Sequence, residues 1–300
     1  DQIQIGKVIT ANFKGVLTSE QQIAVEKLLD HPIGILSAAT GFGKTVIAAA
    51  LIAQRKVNTL IIVHRKQLME QWKERLNTFI DKGILSGQIG GGKNKQTFTI
   101  DIVTIQSLNY RGEIKDDLTK YGQIIVDECH HISAVSFEKV MKKVEAKYVC
   151  GLTATPMRKD GLHPIMMMQL GPIRYKVTAK SNAKLHSFEH ILHPRYTNFK
   201  CSMPNDTKQI QKIYKEIVHD SARNYLIFDD VLKALNEGAA PLILTERLEH
   251  VKILEEMFKN FVKNIIVLTG GMKSKEQLEK LNVLQNLNMN EERLIIATGK

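Results

Sequence analysis

The residues best suited to chemistry form a glycine-rich run that ends in lysine and threonine. Residues 38–45 read AATGFGKT and lie between an apolar strand candidate and a helix candidate. Glycines in such a loop let backbone N–H groups turn toward phosphate oxygens, and the helix that follows adds the positive end of its dipole. Lys44 would place its charge on the β- and γ-phosphates, and the Thr45 hydroxyl would hold Mg²⁺. The run therefore predicts a nucleotide-binding loop, with expected contacts from Thr40, Gly41, Phe42, Gly43, Lys44 and Thr45.

A pair of acidic residues directly follows the apolar strand candidate 123–126. Asp127 would bind Mg²⁺ through water, and Glu128 would orient or deprotonate the water that attacks the terminal phosphate. An acidic pair at a strand end can also cap a helix. Its position downstream of a phosphate loop favours the metal-and-water interpretation, in which Lys44, Asp127 and Glu128 are the catalytic set.

A third polar run, residues 151–156, also follows an apolar strand candidate. The hydroxyls of Thr153 and Thr155 lie next to a proline, a combination that is also compatible with an ordinary turn. Because the run follows the acidic pair along the chain, we expect these two threonines to belong to the same site.

Short apolar runs alternate with longer helical stretches from Ile33 onward, which is typical of a parallel sheet covered by helices on both faces. The strand candidates before residue 180 are 34–38, 59–63, 101–104, 123–126 and 148–152, and the helix candidates are 45–54 and 65–79. Residues 180–205 show no periodicity and predict an irregular connection. The stretch 207–236 then reads as helical, and the strand candidates beyond it are 241–244, 265–268 and 294–297. The pattern predicts a doubly wound α/β fold.

The composition indicates a globular chain with more than one domain. Lys and Arg total 42 and Asp and Glu 31, and the formal net charge of +11 fits a polyanionic partner or a solvated basic surface. The cysteines, at 129, 150 and 201, show no CxxC spacing, so we expect neither a structural zinc site nor a disulfide framework, and a cytoplasmic location. No apolar run is long enough for a transmembrane helix, and residues 1–10 do not read as a signal peptide.

Several motifs in a fixed order resemble those of superfamily 2 helicases of the DExH type, in the branch of excision-repair helicases and restriction-enzyme motor subunits. The resemblance runs from about Val16 to Lys300. Residues 38–45 resemble motif I, residues 127–130 motif II and residues 153–155 motif III. The other matching segments are 61–68 with Gln71 and Trp72 for motif Ia, 104–108 for the next strand-contacting motif, 241–246 for motif IV and 297–299 for the opening of motif V.

The resemblance implies two RecA-like parallel-sheet lobes that bind ATP and Mg²⁺ in the cleft between them. It assigns residues 1–185 to lobe 1, the helicase ATP-binding domain, residues 186–205 to a linker and residues 206–300 to the start of the helicase C-terminal domain. The implied activity is ATP hydrolysis that drives movement on nucleic acid. The branch favours DNA as the partner, with RNA as the alternative.

The resemblance also implies roles for single residues. Gln21 corresponds to a glutamine that reads adenine, although Thr18 and Glu20 stand where the family has arginine and tyrosine. His130, with Thr153 and Thr155, would couple the ATP state to the second lobe. The candidates for contacts with the sugar–phosphate backbone are His64, Arg65, Gln106, Ser107, Thr269, Gly270 and Thr298.

Two further features concern basic residues. Residues 90–95 read GGGKNK and predict a flexible loop, which either contacts phosphates or is simply solvated. The motif VI arginine of the family, which reaches the γ-phosphate, has no counterpart, since no Gln-x-x-Gly-Arg pattern occurs in residues 206–300. We therefore expect a second lobe that is incomplete, a longer parent protein with further domains or subunits, and impaired ATP hydrolysis by this chain.

Two other classes of protein stay open. One is a P-loop ATPase that acts on a partner other than nucleic acid, and the other is a scaffold lobe that binds nucleic acid without catalysis. Intact residues at positions 44, 45, 127 and 128 argue against the scaffold.

Overall fold

The computed structural model of the chain describes residues 3–81, 86–90, 92–110, 113–114, 116–131, 134–155, 161, 163–178, 191–202, 210–288 and 290–299. The chain forms two compact units, Asp1–Ile191 and Leu192–Lys300, and each is considered by itself. The predicted linker, 186–205, lies partly outside the described residues, and its described part, 191–202, contains no helix or strand.

The first unit is built on an eight-stranded sheet that is parallel except at one edge. Its order is β10-β1-β9-β8-β2-β5-β3-β4, and β6 and β7 form a separate two-stranded ladder. The strands are β1 (Ile33–Ala38), β2 (Thr59–Val63), β3 (Ser86–Gly90), β4 (Lys93–Lys95), β5 (Ile100–Thr104), β6 (Asn109–Tyr110), β7 (Glu113–Ile114), β8 (Gln123–Val126), β9 (Tyr148–Thr153) and β10 (Ile173–Val177).

Helices cover both faces of this sheet. They are α1 (Ser19–Leu29), α2 (Lys44–Arg55), α3 (Lys66–Phe79), α4 (Ile105–Leu108), α5 (Ala134–Met141) and α6 (His163–Leu170). Residues of α1, α2 and α3 form one core cluster with the sheet, and residues of α4, α5 and α6 form another. Because the central strands are covered on both sides, every residue of β2 and β8 is buried, and each strand is apolar after its first residue.

The second unit has a smaller parallel sheet in the order β11-β13-β12 and a core of its own. Its elements are α7 (Ile210–His219), α8 (Ser221–Asn236), β11 (Leu242–Thr245), α9 (Leu248–Phe258), β12 (Ile265–Leu268), α10 (Ser274–Asn286) and β13 (Leu294–Thr298). The chain therefore has the predicted α/β class, with RecA-like parallel sheets.

Two sequence-based expectations were wrong in detail. The helical stretch 207–236 is interrupted, because the Asp220 side chain accepts a hydrogen bond from the Arg223 backbone N–H (2.6 Å) and so caps the start of α8. Residues 90–95 are not a loop but contain the antiparallel pairing of β3 with β4, with Gly91 outside the described residues. Gly90 and Gly92 have φ of 117° and 85°, values that glycine adopts easily, and this permits the tight reversal between the strands.

Within the described part of the chain, no helix combines the length and the hydrophobicity needed to cross a bilayer.

A buried histidine joins a strand end to two helices in the second unit. His250 is 3% exposed, and its Nδ1 and Nε2 lie 3.0 Å from Thr245 Oγ1 and 3.1 Å from Asn224 Oδ1. The Asn224 amide nitrogen donates to the Val218 carbonyl (2.9 Å), which fixes the amide so that its oxygen faces the histidine. An amide oxygen only accepts, so His250 donates from Nε2 to Asn224, and a guanidinium nitrogen of Arg223 lies 3.4 Å from the same ring nitrogen. Burial, assisted by the nearby positive charge of Arg223, lowers the pKa of His250 to about 4.

We expect the second unit to lose stability in mild acid. The pKa of His250 is about 4 in the folded state and 6.5 in its unperturbed state, so the unfolded chain takes up the proton first. The stability present above the unfolded pKa is then lost as the pH falls toward the folded pKa, by about 2 kcal/mol at pH 5. Hydrogen exchange of β11 and β13 amides, corrected for the intrinsic effect of pH, measures this loss. His250→Gln should remove the acid-dependent part, and an identical pH dependence in both proteins would contradict the assignment.

Candidate functional site

The predicted motifs of the first unit follow adjacent parallel strands. The phosphate loop comes after β1, the run with Thr153 and Thr155 closes β9, and the acidic pair comes after β8. The next two strands in the sheet, β2 and β5, lead into the segments at 64–65 and 105–107. The carboxyl ends of parallel strands meet at the same edge of a sheet, so all five segments lie along one edge.

The phosphate loop has the backbone geometry of an anion cradle. Gly41 and Gly43 adopt φ of 87° and 91°, in the left-handed region that side chains disfavour. A Cβ built on Gly41 meets no atom within 4 Å, so this part of the loop borders open space. Gly43 is the N-cap of α2 and offers no side chain to its first N–H groups, which leaves them for an anion. Phe42, only 4% exposed, anchors the loop in the core.

Lys44 lies at the centre of the edge. Its Nζ donates a hydrogen bond to the Ala38 carbonyl (3.0 Å) and lies 3.7 Å from Glu128 Oε1. Glu128 itself has a φ of 45°, a left-handed conformation that is uncommon outside glycine, and this turns the chain sharply after Asp127. The structure thus brings the lysine of the first motif to the carboxylate of the second.

Asp127 is a buried carboxylate, 7% exposed, whose two oxygens both accept hydrogen bonds. The Trp72 indole N–H donates to Oδ2 (2.7 Å), and the Glu128 backbone N–H donates to Oδ1 (2.9 Å). Burial raises the pKa of Asp127, and the neighbouring Glu128 carboxylate adds to this effect, whereas the Trp72 N–H and Lys44 oppose it. The carboxylate is therefore held in one orientation at the end of β8.

Thr45 and Asp127 face the same cavity, which has a volume of about 620 Å³. The other residues that line it all belong to α3 and are Gln71, Trp72, Glu74, Arg75 and Thr78. A hydroxyl and a carboxylate are oxygen ligands of the kind that Mg²⁺ prefers, and Mg²⁺ usually keeps several waters, for which this space is sufficient. The residues present therefore fit a hydrated Mg²⁺ ion beside the phosphate loop.

The third motif contacts the second through His130. Its Nδ1 lies 2.8 Å from Thr153 Oγ1 and 3.3 Å from Glu128 Oε2. The Thr155 backbone N–H donates to Thr153 Oγ1 (3.2 Å), which holds the end of β9 in a tight turn. Pro156, the last residue of this motif, lies outside the described residues. A continuous polar connection thus runs from Glu128 through His130 to the two threonines.

Gln21 lies against the phosphate loop. Thr18 and Gln21 form a reciprocal cap at the start of α1, in which each side chain accepts a hydrogen bond from the other residue's backbone N–H (3.3 and 3.0 Å). The amide nitrogen of Gln21 donates to the Phe42 carbonyl (2.8 Å). Thr18, which departs from the arginine of the family pattern, is therefore the N-cap of this helix.

The nucleic-acid candidates of the first unit also lie together. The amide nitrogen of Gln106 donates to the His64 carbonyl (3.2 Å), so the segments after β2 and β5 are in contact. Ser107 is tied to the end of β5, since its Oγ lies 2.7 Å from Thr104 Oγ1. Arg65 is exposed, directly before α3.

The candidates of the second unit meet at the ends of β12 and β13. Thr269 follows β12, and the next backbone N–H, that of Gly270, donates to Thr298 Oγ1 (3.0 Å). The loop after one strand is thus fixed to the last residue of its neighbour.

Sequence reasoning placed Trp72 in the motif Ia match but did not predict its contact with Asp127, which the structure shows. A signal was present, because the indole N–H of a tryptophan usually needs an acceptor when the ring is buried. Which acceptor it finds depends on a contact between residues 55 positions apart, which helix periodicity does not reveal.

Comparison with known proteins finds similarity to helicases and to a restriction-enzyme subunit. Residues 14–158 match the family model described as type III restriction enzyme, res subunit. A protein of Acanthamoeba polyphaga mimivirus, named a putative ATP-dependent RNA helicase, is 29% identical over 95% of this chain and 57% of its own length. The DNA 3'-5' translocase XPB2 of Sulfurisphaera tokodaii is 33% identical over 64% of this chain and 42% of its own length. The chain thus spans about half the length of these two relatives.

The fold is also found in S. cerevisiae Dbp5 bound to RNA and ADP BeF3, with a TM-score of 0.58 over 94% of this chain and 70% of that one. At 13% identity this likeness concerns the fold alone. The family match, the helicase relatives and the ordered motifs along one sheet edge support a superfamily 2 helicase in the branch of excision-repair helicases and restriction-enzyme motor subunits.

Proposed function

We propose that this chain binds ATP with Mg²⁺ at the edge formed by the phosphate loop and the acidic pair, and that its protein hydrolyses ATP to move along nucleic acid. The observation that carries the proposal is the meeting of Lys44, Glu128 and Asp127 at the ends of two strands, beside a cavity that Thr45 shares with Asp127. These are the charges and oxygen ligands that phosphoryl transfer to water needs.

In this proposal each residue has a separate task. The backbone N–H groups of residues 40–43 and the Lys44 ammonium bind the phosphates, and Thr45 and Asp127 hold the cation. Mg²⁺, when bound, neutralises charge on the β- and γ-phosphates. The carboxylate of Glu128 orients a water molecule and accepts its proton as the oxygen attacks the γ-phosphorus, while the bond from this phosphorus to the bridging oxygen breaks and ADP leaves. Gln21, held beside the loop, contacts adenine.

The connection from Glu128 through His130 to Thr153 supports a coupling role for these residues and for Thr155. A change in the charge near Glu128 acts on the His130 ring beside it. Because the same ring contacts Thr153, the change also affects the end of β9. We propose that this route communicates the ATP state to the second helicase lobe. The domain boundaries that go with it are 1–185 for the first lobe, 186–205 for the linker and 206–300 for the second.

For nucleic acid, we propose contacts to the sugar–phosphate backbone that do not read sequence. Support comes from the contact between the segments at 64–65 and 106–107, with Arg65 exposed beside them, and from the meeting of Thr269–Gly270 with Thr298 in the second unit. The branch of excision-repair helicases favours DNA. Of the two relatives, one is named a DNA translocase and the other an RNA helicase. The parent protein's ATP turnover with a panel of duplex and single-stranded DNA and RNA tests this choice.

Two substitutions should separate binding from chemistry. Lys44→Ala removes the charge that faces the phosphates and should weaken Mg²⁺–ATP binding about 10- to 100-fold. Glu128→Gln leaves Thr45 and Asp127 in place, so binding should persist while turnover falls about 10²- to 10⁴-fold. Calorimetry and nucleic-acid-stimulated turnover of the parent protein measure the two effects. Glu138→Gln, an equal change at a carboxylate that pairs only with Lys142 in the structure, is the control. Turnover at the parent rate by Glu128→Gln would show that this carboxylate is not the base.

Nucleic-acid binding should be sequence-indifferent and should weaken steeply as salt increases, because phosphate contacts release counterions. Removing one contact with Arg65→Ala should lower the slope of log affinity against log salt by about 0.9 on duplex DNA. Lys142→Ala removes the same charge outside the motif segments and should leave the slope unchanged. Fluorescence anisotropy at several salt concentrations gives both slopes, and an affinity independent of salt would refute phosphate-dominated binding.

We also propose that hydrolysis by this chain alone is slow, because residues 206–300 contain no counterpart of the motif VI arginine. Such an arginine is worth about 10³- to 10⁵-fold in rate. We therefore compare this chain with a version extended through motif VI, both saturated with ATP and duplex. Turnover of this chain should be lower by a factor in this range. Equal turnover by the two proteins would show that the arginine is dispensable.

A further inference from the structure

Helix α3 contacts the Asp127 carboxylate through the side chain of Trp72. Trp72 is 1% exposed, and its indole N–H donates to Asp127 Oδ2 at 2.7 Å. The other carboxylate oxygen, Oδ1, accepts from the Glu128 backbone N–H. With both oxygens held in this way, the rotation of the carboxylate about its side-chain bonds is fixed by one contact from its own strand end and one from α3.

The contact from α3 is directional. Tryptophan has one donor and no acceptor, so its ring cannot rotate to offer a second hydrogen bond. A hydrogen bond to an ionised carboxylate is stronger than one between neutral groups, and burial removes the competition from water. The ring cannot move away either, because Met69, Trp72 and Leu76 are buried on one face of α3 in the core shared with α1 and α2.

The other end of α3 leads to a different part of the edge. The helix begins at Lys66, directly after His64 and Arg65, which we propose contact nucleic acid. The helix also supplies most of the lining of the cavity shared by Thr45 and Asp127. A shift of the segment at 64–65 along the helix axis would therefore move the donor of the Asp127 hydrogen bond.

We propose that Trp72 is the positioning residue of the cation site: through its indole N–H, helix α3 holds Asp127 in the orientation that binds Mg²⁺ and links that orientation to the segment that contacts nucleic acid. This inference rests on the proposed function and adds to it a residue outside the phosphate loop and the acidic pair. Removal of a hydrogen bond that orients a metal ligand typically weakens metal binding about 10- to 100-fold.

The first test measures the Mg²⁺ concentration required for ADP binding by calorimetry. Trp72→Phe keeps an aromatic ring but lacks the donor, so the requirement should rise about 10- to 100-fold, while ADP affinity in EDTA stays unchanged. Met69→Leu alters the same buried face of α3 without touching Asp127, and its Mg²⁺ requirement should equal that of the unsubstituted chain. An unchanged requirement in a folded Trp72→Phe protein would overturn the proposal.

A second measurement does not depend on the fold of that variant. The sequence contains a single tryptophan, so growth with 5-fluorotryptophan places one fluorine label at position 72. Its NMR resonance should shift on addition of Mg²⁺ with ADP, should not shift with ADP in EDTA, and should lose the Mg²⁺-dependent shift in Asp127→Ala. A resonance that ignores Mg²⁺ while calorimetry detects Mg²⁺–ADP binding would overturn the role of Trp72 and leave the proposed function intact. Failure of the unsubstituted chain to bind Mg²⁺–ADP at all would overturn both the role of Trp72 and the proposed function.

Discussion

A carboxylate buried in a protein interior costs several kcal/mol, on the order of the stability of a small domain, unless its oxygens accept hydrogen bonds. Asp127 is such a carboxylate, and the arrangement of the first unit follows from satisfying it. The left-handed turn at Glu128 brings a backbone N–H to one oxygen, and α3 brings the Trp72 indole to the other. That turn also directs Glu128 toward Lys44, so the requirement of one buried group places the acidic pair against the phosphate loop.

The sequence predicted the central strands well, for a physical reason. β2 and β8 are covered on both faces, and apolar side chains fill every position after the first, so the predicted bounds 59–63 and 123–126 agree with the structure. The last two strands at one end of the sheet lack this signal. β3 contains glycine, serine and glutamine and was not predicted, and β4 is a three-residue run of lysine and asparagine that lies in the predicted loop 90–95. The interruption at Asp220 was also missed, because helical periodicity continues across it and only the cap shows the break.

In the candidate site, too, some features could be predicted from the sequence and others could not. The loop at 38–45 and the pair at 127–128 are local motifs whose neighbours in the chain indicate their chemistry, and their convergence follows from the adjacency of parallel strands. The contacts that fix them are not local. Gln21 meets the loop 21 positions away, and Trp72 meets Asp127 across 55 positions. Such contacts depend on how the helices pack over the sheet. Hydrophobic periodicity predicts which face of a helix is buried, but it does not predict which residues of the sheet that face meets.

The bond from Gln21 to the loop bears on the entropy of ligand binding. A Cβ on Gly43 would lie 2.5 Å from the Gln21 amide nitrogen, so the absence of a side chain there lets α1 close onto the loop. With Phe42 also buried, the loop has already lost much of its conformational freedom on folding. Ordering a backbone residue costs about 1–2 kcal/mol, and a loop that is ordered beforehand does not incur this cost again when a ligand arrives. Helix α1 thus holds the loop in place through Gln21 before any ligand arrives.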